Sequence, residues 1–257
     1  MAFCELKYFS PALQKHIAAN VIIPENLQVK PFPVLYLLHG QSDDHTIWMR
    51  RTSIERYVDN TGLMVVMPDT GRGWYSNAVH GPAWETSIVT DLVDFIDGIF
   101  PTRPNAGGRA LAGLSMGGYG AVHLAFNHPN RFCAAVSHSG ALAFSHFDLD
   151  ANPGAWSSEM KLILGEKYIG SKSDLFARAQ KLMSIKRRPA IRIDCGTEDF
   201  LIEQNRLFHT HLTNIDYPHE YEEHPGAHTW EYWDRHVQDS LMFLLPILQP
   251  TQPTGSK

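Results

Sequence analysis

The chain has 257 residues, of which 44% are hydrophobic and 19% charged, a balance typical of a globular protein and not of a disordered one. The formal net charge of −5 argues against nucleic-acid partners, which require a strong basic field. The sequence predicts neither a membrane span nor a signal peptide, because no run approaches about 18 apolar residues and the N-terminus lacks a basic segment followed by an apolar one.

Short apolar runs alternate along the chain with amphipathic segments of helical length. The predicted strands lie at 3–9, 16–23, 33–38, 63–67, 109–113, 132–137, 190–194 and 219–223. The predicted helices lie at about 46–60, 86–99, 116–128, 171–184, 200–214 and 230–247. This alternation predicts an α/β fold.

The central predicted strands 33–38, 63–67 and 109–113 are almost entirely apolar. Strands of this kind are buried on both faces, so we expect a mostly parallel sheet with helices on both faces. Only Ser10-Pro11 separates the first two strands, which predicts an antiparallel N-terminal edge.

The domain organisation predicted from the sequence is simple. No linker rich in Gly, Ser or Pro divides the chain, so we expect a single domain over 1–248. Within it, 141–188 is expected to form a short cap-like excursion over the sheet, because 141–170 lacks a strand–helix rhythm. The polar, Pro-rich segment 249–257 is expected to be a flexible tail.

The strongest chemical motif is Gly113-Leu114-Ser115-Met116-Gly117, a G-x-S-x-G pattern. The pattern alone is weak, but here it follows a buried strand and precedes an apolar helix, the setting of a nucleophile elbow. A sharp turn there exposes the serine hydroxyl and leaves no room for Cβ atoms at the flanking positions. We therefore predict that Ser115 is a nucleophile; the alternative is a glycine-rich turn without a catalytic role.

A serine nucleophile needs a base, and the base needs an orienting carboxylate, in the chain order Ser, Asp or Glu, His. Asp199 follows strand 190–194 and is the predicted acid, with Glu198 as runner-up. The alternative role for Asp199 is to cap the following helix. His228 lies in a glycine-containing loop after strand 219–223 and is the predicted base, with His224 as its competitor.

Two backbone N–H groups are candidates for an oxyanion hole. Gly40 permits a tight turn after strand 33–38, so the N–H of Gln41 can point at the site, and the N–H of Met116 directly follows the serine. Gly40, Trp48 and Trp230 are the candidate substrate-binding residues, although a tryptophan taken singly is more often part of the core.

No residue spacing predicts a metal or a cofactor. His209 and His211 are two apart and face different sides of a helix. Pro225 prevents a helix between His224 and His228, and no glycine-rich nucleotide-binding pattern opens a helix. We expect no cofactor and no metal.

The cysteines bear on the compartment. Cys4, Cys133 and Cys195 show no close pairing, which favours free thiols in a reducing, cytoplasmic location.

Several segments together resemble the putative-esterase family of α/β-hydrolases, over roughly residues 15 to 245. They are VLYLLHG, Trp48, VMPDTGRGWYSN, GLSMGGYGAVHLAFNHP, GTEDFL and HPGAHTWEYW. The family includes tributyrin esterases, S-formylglutathione hydrolases, feruloyl and acetyl xylan esterases, and mycolyltransferases. The resemblance implies an α/β-hydrolase fold, the triad Ser115, Asp199 and His228, and oxyanion donors at Gln41 and Met116. Compact length and the LLHG and GLSMGGYGA forms look closest to tributyrin esterases.

The leading functional hypothesis is a serine carboxylesterase for short-chain acyl esters, with a small-molecule substrate. The excursion is too short for a large lid, which favours short acyl groups. Cleavage of S-formylglutathione, or of acetyl or feruloyl xylan esters, by the same triad is the alternative. The non-enzymatic alternative is a binding protein that has the hydrolase fold but no catalytic activity. Assembly into a homo-oligomer is left open.

Overall fold

The computed structural model describes residues 1–26, 30–146 and 155–248. The predicted tail 249–257 lies outside the described residues, as does 147–154 within the predicted excursion. Among the described residues, no helix is both long enough and apolar enough to cross a bilayer.

One eight-stranded sheet forms the centre of the structure, with the strand order β1-β2-β4-β3-β5-β6-β7-β8. Its strands are β1 (Ala2–Ser10), β2 (Lys15–Ile23), β3 (Val34–Leu38), β4 (Met64–Pro68), β5 (Arg109–Leu114), β6 (Ala134–His138), β7 (Ala190–Gly196) and β8 (His219–His224). The pairs β1–β2 and β2–β4 are antiparallel, and all pairs from β4 to β8 are parallel. The predicted parallel sheet with an antiparallel N-terminal edge is confirmed.

Helices cover both faces of this sheet. Within the described ranges they are α1 (Ile47–Arg51), α2 (Ile54–Tyr57), α3 (Trp84–Thr86), α4 (Val93–Ile99), α5 (Met116–Asn127), α6 (Ala155–Leu164), α7 (Leu175–Leu182), α8 (Ile202–Asn214) and α9 (Trp230–Leu248). A π-helical stretch, Ser87–Leu92, joins α3 to α4. Helix α6 was not predicted, because its segment of the chain shows no clear periodicity.

The predicted helix 46–60 is wrong as a single element, since it divides into α1 and α2. Thr52 between them is extended, with φ −132° and ψ 170°. Its hydroxyl donates to the carbonyl of Trp48 at 2.6 Å and accepts the N–H of Ile54 at 3.2 Å. A threonine hydroxyl that bonds to the backbone in this way competes with helical hydrogen bonds and breaks the helix.

The core forms two apolar layers, one on each face of the sheet. Along β3 the side chains alternate: Val34, Tyr36 and Leu38 pack in one layer, and Leu35 and Leu37 in the other. Every residue of β3 is buried, as the uninterrupted apolar run predicts. Because the parallel strands share one direction, the loops that follow β3, β5, β7 and β8 meet at a single edge of the sheet.

Candidate active site

A cavity of about 360 Å³ lies at the carboxyl edge of the parallel strands. We call it the site cavity. Its lining comes from the loops after β3, β4, β5, β7 and β8: Gly40, Gln41, Ser42, Asp43, Arg72, Leu114, Ser115, Phe200, His228, Trp230 and Trp233. The structure therefore brings the predicted nucleophile and the predicted base to one cavity.

Ser115 occupies a strained turn between β5 and α5, with φ +53° and ψ −116°. Its N–H donates to the carbonyl of His138 at 2.9 Å, which ties the turn to the end of β6. A non-glycine residue with such a positive φ costs about 1–3 kcal/mol and persists only where the surroundings enforce it. This geometry presents the serine side chain at the end of the sheet, as a nucleophile elbow does.

Two glycines beside Ser115 allow this turn to pack against β3. A Cβ atom on Gly117 would lie 2.5 Å from the carbonyl oxygen of Leu38, and one on Gly113 would lie 2.4 Å from the carbonyl oxygen of Gly117. Both contacts are with backbone atoms, which cannot move aside as a side-chain end can. The two glycines are therefore required by the close approach of α5 to the sheet.

We expect Gly117→Ala to lower the free energy of unfolding by about 3 kcal/mol, because the new methyl group overlaps the backbone of β3. Gly98→Ala in α4 is the matched control, since its Cβ would have nothing within 4 Å. That substitution should be neutral or stabilise by up to about 1 kcal/mol. Urea denaturation measures both, and equal stability of the two variants would contradict the packing argument.

His228 and Asp199 form a hydrogen-bonded pair beside the site cavity. Nδ1 of His228 lies 2.8 Å from Oδ2 of Asp199, and the other carboxylate oxygen accepts the N–H of Leu201 at 2.8 Å. Asp199 thus orients the imidazole and also satisfies the backbone near the start of α8, the second role considered for it. Nε2 of His228 is left as the ring nitrogen available to a nucleophile or a substrate.

The carboxylate of Asp199 is held in its charged form. Burial alone would raise its pKa, but hydrogen bonds from the His228 ring, the Leu201 N–H and the Ser139 hydroxyl outweigh burial and hold the pKa below its usual value. An ionised acid next to Nδ1 favours the tautomer in which Nδ1 carries the proton. The unprotonated Nε2 can then act as a base.

The competing acid, Glu198, forms hydrogen bonds with the loop that contains His228. Its carboxylate accepts hydrogen bonds from the Gly226 N–H and the Thr197 hydroxyl, and its own N–H donates to the carbonyl of Gly226 at 3.0 Å. The loops after β7 and β8 are therefore joined by backbone contacts. A Cβ atom on Gly196 would lie 2.1 Å from the carbonyl oxygen of Gly226, so this contact also requires glycine.

The competing base, His224, is directed elsewhere. Its Nε2 lies 3.1 Å from a carboxylate oxygen of Glu222, and its ring stacks on His236 at 4.2 Å. His224 is not among the residues that line the site cavity. Of the two candidates, only His228 lines the site cavity together with Ser115.

Two aromatic rings flank the His228 imidazole. Phe200 lies at 4.5 Å between ring centroids, and Trp233 contacts the imidazole edge-on at 4.8 Å. Trp233 is buried and donates from Nε1 to the Ser139 hydroxyl at 3.2 Å, which fixes its ring. Sequence reasoning missed both residues, although an aromatic residue directly after the predicted acid was a readable signal for Phe200.

The turn after β3 is fixed by buried side chains. Nε2 of His39 accepts the N–H of Thr70 at 3.1 Å, so Nδ1 carries the proton and donates to the carbonyl of Gly40 at 2.7 Å. The Tyr75 hydroxyl donates to the carbonyl of His39 at 2.8 Å. Burial lowers the pKa of His39, in keeping with a neutral ring. This scaffold holds Gly40 and Gln41 in the wall of the site cavity.

The two predicted oxyanion donors come from the turn after β3 and from the start of α5. Gln41 lines the site cavity, and Met116 is the first residue of α5. The N–H groups in the first turn of a helix lack intrahelical acceptors and carry partial positive charge, so they favour an anion. The oxyanion role of both N–H groups stays a prediction.

Glu159 of α6 contacts two residues at one side of the site cavity. Its carboxylate accepts a bidentate hydrogen-bond pair from Arg72, at 2.8 Å and 2.5 Å, and a third bond from the Gln41 side chain at 3.2 Å. Helix α6 is thereby attached to two residues of the site cavity. Neither Arg72 nor Glu159 was singled out from the sequence, because nothing in the local pattern indicates a contact across this distance in the chain.

The two candidate tryptophans occupy different positions. Trp230 lines the site cavity. Trp48 is buried, donates from Nε1 to the carbonyl of Leu38 at 3.0 Å and packs edge-on against Trp230 at 5.3 Å. Trp48 does not line the site cavity and supports Trp230 from behind. Its predicted contact with substrate stays a prediction.

A second Ser–His–Asp arrangement is buried beneath the site. Nδ1 of His138 lies 2.8 Å and 2.9 Å from the two carboxylate oxygens of Asp194, and Nε2 lies 2.6 Å from the hydroxyl of Ser240. The Tyr232 hydroxyl also donates to Asp194, at 3.1 Å. His138, Asp194 and Ser240 are all fully buried, so no ester can reach this serine. The network joins the ends of β6 and β7 to α9.

One side-chain cluster has the composition of a metal site. Ligand atoms of His224, His236 and Asp239 lie within 4.8 Å of one another. The two imidazoles, however, are stacked with only 11° between their planes. An ion must lie near the plane of each ring that binds it, so these rings would have to rotate before one ion could bind both.

Cavity size alone would not have identified the site. A larger cavity, of about 650 Å³, lies at the opposite edge of the sheet around Arg109, the first residue of β5. Among the described residues that line it there is no serine, histidine, cysteine or carboxylate. It therefore lacks both a nucleophile and a base.

Comparisons with known proteins agree with this architecture. A family model described as "Putative esterase" matches residues 10–244. A curated acetyl esterase from Caldicellulosiruptor saccharolyticus is 26% identical over 96% of this chain and 99% of its own length.

Two solved structures from Staphylococcus aureus are each 32% identical over 95% of this chain and 98% of their own. They are the fluorophosphonate-binding serine hydrolase FphF, with a TM-score of 0.87, and the S-formylglutathione hydrolase FrmB, with a TM-score of 0.84. The expected resemblance and the α/β-hydrolase fold are confirmed. The chain belongs to the esterase family of α/β-hydrolase-fold serine hydrolases and is a carboxylic ester hydrolase.

Proposed function

We propose that the protein is a serine carboxylesterase for short-chain acyl esters, with Ser115 as nucleophile, His228 as base and Asp199 as the orienting acid. The proposal rests on the lining of the site cavity, which contains both a serine on a strained turn and an imidazole held by a buried carboxylate. The chemistry uses only side chains and backbone N–H groups and needs no cofactor.

In the first half of the reaction, Ser115 Oγ attacks the acyl carbon while His228 Nε2 takes the hydroxyl proton. Asp199 stabilises the resulting imidazolium through the 2.8 Å bond to Nδ1. The N–H groups of Gln41 and Met116 hold the negative charge that develops on the carbonyl oxygen. The tetrahedral intermediate collapses, the alkoxide receives the proton from His228, and the acyl group remains on Ser115.

In the second half, a water molecule takes the place of the alcohol. His228 removes a proton from the water as it attacks the acyl-enzyme, and the oxyanion donors act again. Collapse releases the carboxylic acid and returns the proton to Ser115. Each half begins and ends with neutral His228. No other residue is therefore needed to accept or donate a proton.

The preference for short acyl groups rests on the dimensions of the site cavity. Its volume of about 360 Å³ must hold the acyl and alcohol portions together. The Glu159 contacts with Arg72 and Gln41 close the rim on the side of α6. A single-domain enzyme in a reducing, cytoplasmic compartment is part of the proposal, supported by three free cysteines.

Thioester cleavage is the second candidate, favoured by the similarity to the S-formylglutathione hydrolase FrmB. The test is a panel of p-nitrophenyl acetate, butyrate and octanoate, S-formylglutathione, and acetylated or feruloylated xylan. We expect the highest kcat/KM with acetate or butyrate. A kcat/KM for S-formylglutathione or a xylan ester at least about tenfold above both would replace the proposed substrate class; a tenfold preference corresponds to about 1.4 kcal/mol of transition-state binding.

Labelling with a fluorophosphonate separates an enzyme from a silent binding protein. We expect one covalent adduct, located at Ser115 by peptide mass spectrometry, because the probe reacts with an activated serine. The buried Ser240 serves as the internal control and should remain unlabelled. Absence of an adduct at Ser115 in folded protein would contradict the proposed function.

A further inference from the structure

We propose that Phe200 forms a leaving-group subsite, which selects esters of alcohols that carry a planar, apolar ring next to the ester oxygen. The inference rests on the proposed function, since it assigns His228 as the group that protonates the departing alcohol. It extends that function by specifying the alcohol portion of the ester, which neither the acyl preference nor the triad defines.

The chemistry places the alcohol beside the imidazole. The departing oxygen receives its proton from His228 Nε2 and must come within about 3 Å of that nitrogen. The carbon attached to this oxygen is therefore held close to the edge of the imidazole ring. Whatever side chains flank the imidazole will contact the first few atoms of the alcohol.

Two rings flank His228 and both line the site cavity, but Phe200 presents far more surface to a ligand than Trp233 does. Trp233 is 4% exposed, and its Nε1 is bound to Ser139. Phe200 is 75% exposed, lines the site cavity and lies 4.5 Å from the imidazole centroid. An isolated exposed phenylalanine needs no explanation, but this one stands against the predicted base at the mouth of the site cavity.

The backbone on both sides of Phe200 is fixed. Asp199 binds the His228 ring with one carboxylate oxygen and the Leu201 N–H with the other, so Phe200 lies between two anchored residues. Phe200 belongs to neither apolar layer of the core. Its ring thus offers an exposed apolar face beside the imidazole, and covering it with a ligand ring removes apolar surface of both from water.

The surroundings favour a neutral ring over a charged group. Trp230 lines the same cavity and packs edge-on against Trp233 at 5.2 Å, which extends the apolar wall. Arg72 and Asp43 also line the cavity, and each has a partner: Arg72 binds the carboxylate of Glu159, and the carboxylate of Asp43 accepts the Gly40 N–H at 3.2 Å. Aromatic pairs prefer offset or edge-to-face contacts, which an exposed ring at the cavity mouth can make.

The test compares benzyl acetate with butyl acetate in the wild type and in Phe200→Ala. Both esters form the same acetyl-enzyme and release alkoxides of similar basicity, so kcat/KM isolates the contact made by the alcohol. We expect Phe200→Ala to lower kcat/KM about tenfold for benzyl acetate and less than about twofold for butyl acetate, from loss of ring contact and apolar burial. Phe200→Tyr should keep the wild-type ratio, because it retains the ring.

Ile169→Ala is the control for removal of an exposed apolar side chain, since Ile169 is 71% exposed and lies outside the site cavity. It should leave both rates unchanged. An equal loss for both esters in Phe200→Ala would show that Phe200 only positions His228 and would overturn the proposal, as would an unchanged ratio. Failure of the proposed function would instead appear as wild-type rates in Ser115→Ala with either ester.

Discussion

Ester hydrolysis is expected to fall by about 10⁵-fold in kcat when Ser115 is replaced by alanine, since the proposed acyl-enzyme forms on the Ser115 hydroxyl. Folding should be unaffected, because among the described residues the Ser115 hydroxyl does not cap α5, and alanine has the same backbone strain at φ +53°. The p-nitrophenyl acetate assay and urea denaturation measure the two quantities on the same preparation.

Ser240→Ala is the matched control, because Ser240 is the hydroxyl of the buried Ser–His–Asp arrangement. It removes the 2.6 Å bond to His138 Nε2 and leaves a buried ring nitrogen without a partner. We expect a loss of about 1–3 kcal/mol in the free energy of unfolding, with kcat within about threefold of the wild type. If Ser240→Ala abolished turnover and Ser115→Ala did not, the assignment of the nucleophile would be wrong.

Much of the fold could be predicted because its strands are buried on both faces. β3 and β4 are uninterrupted apolar runs, and each was located to within one residue. The sequence was less informative where structure depends on distant or competing contacts. Thr52 breaks a helix through its own hydroxyl, and α6 lies in a segment without periodicity and contacts the rim through Glu159.

The candidate site was predictable to the extent that it follows from strand order. Parallel strands end at one edge of the sheet, so residues that directly follow them are predicted from the sequence to lie near one another. This argument selected Ser115, Asp199 and His228, which the structure brings together. It could not select Phe200, whose interest depends on the direction of its side chain. It could not select Arg72, whose partner Glu159 is far along the chain.

The buried network of His138, Asp194 and Ser240 shows why position matters more than composition. It has the residue types of a catalytic triad and the Tyr232 hydroxyl as a further partner, yet no substrate can reach it. Ser115 instead lines the site cavity on a strained turn that the fold must stabilise elsewhere. The buried network meets that requirement in part, since the carbonyl of His138 accepts the Ser115 N–H and the carbonyl of Asp194 accepts the Ser139 N–H.

Replacing Asp199 with asparagine should lower kcat by about 10⁴-fold at neutral pH while the protein remains folded. An amide can donate a hydrogen bond to Nδ1 of His228, which places the ring proton on Nε2 and removes the base. Glu198→Gln is the matched control, because its side-chain oxygen can still accept the Gly226 N–H. That variant should keep kcat within about threefold, since Glu198 contacts the loop and not the imidazole.

The lowered pKa of Asp199 gives this pair of variants a second, independent readout. A carboxylate whose pKa is depressed in the folded state stabilises the protein above its unfolded pKa, and the effect is lost as pH falls through the folded value. The stability difference between wild type and Asp199→Asn should therefore shrink as pH falls below about 4. Denaturation between about pH 5 and 3 checks it; a difference that did not shrink would show that the Asp199 carboxylate is not held in its charged form in the folded enzyme.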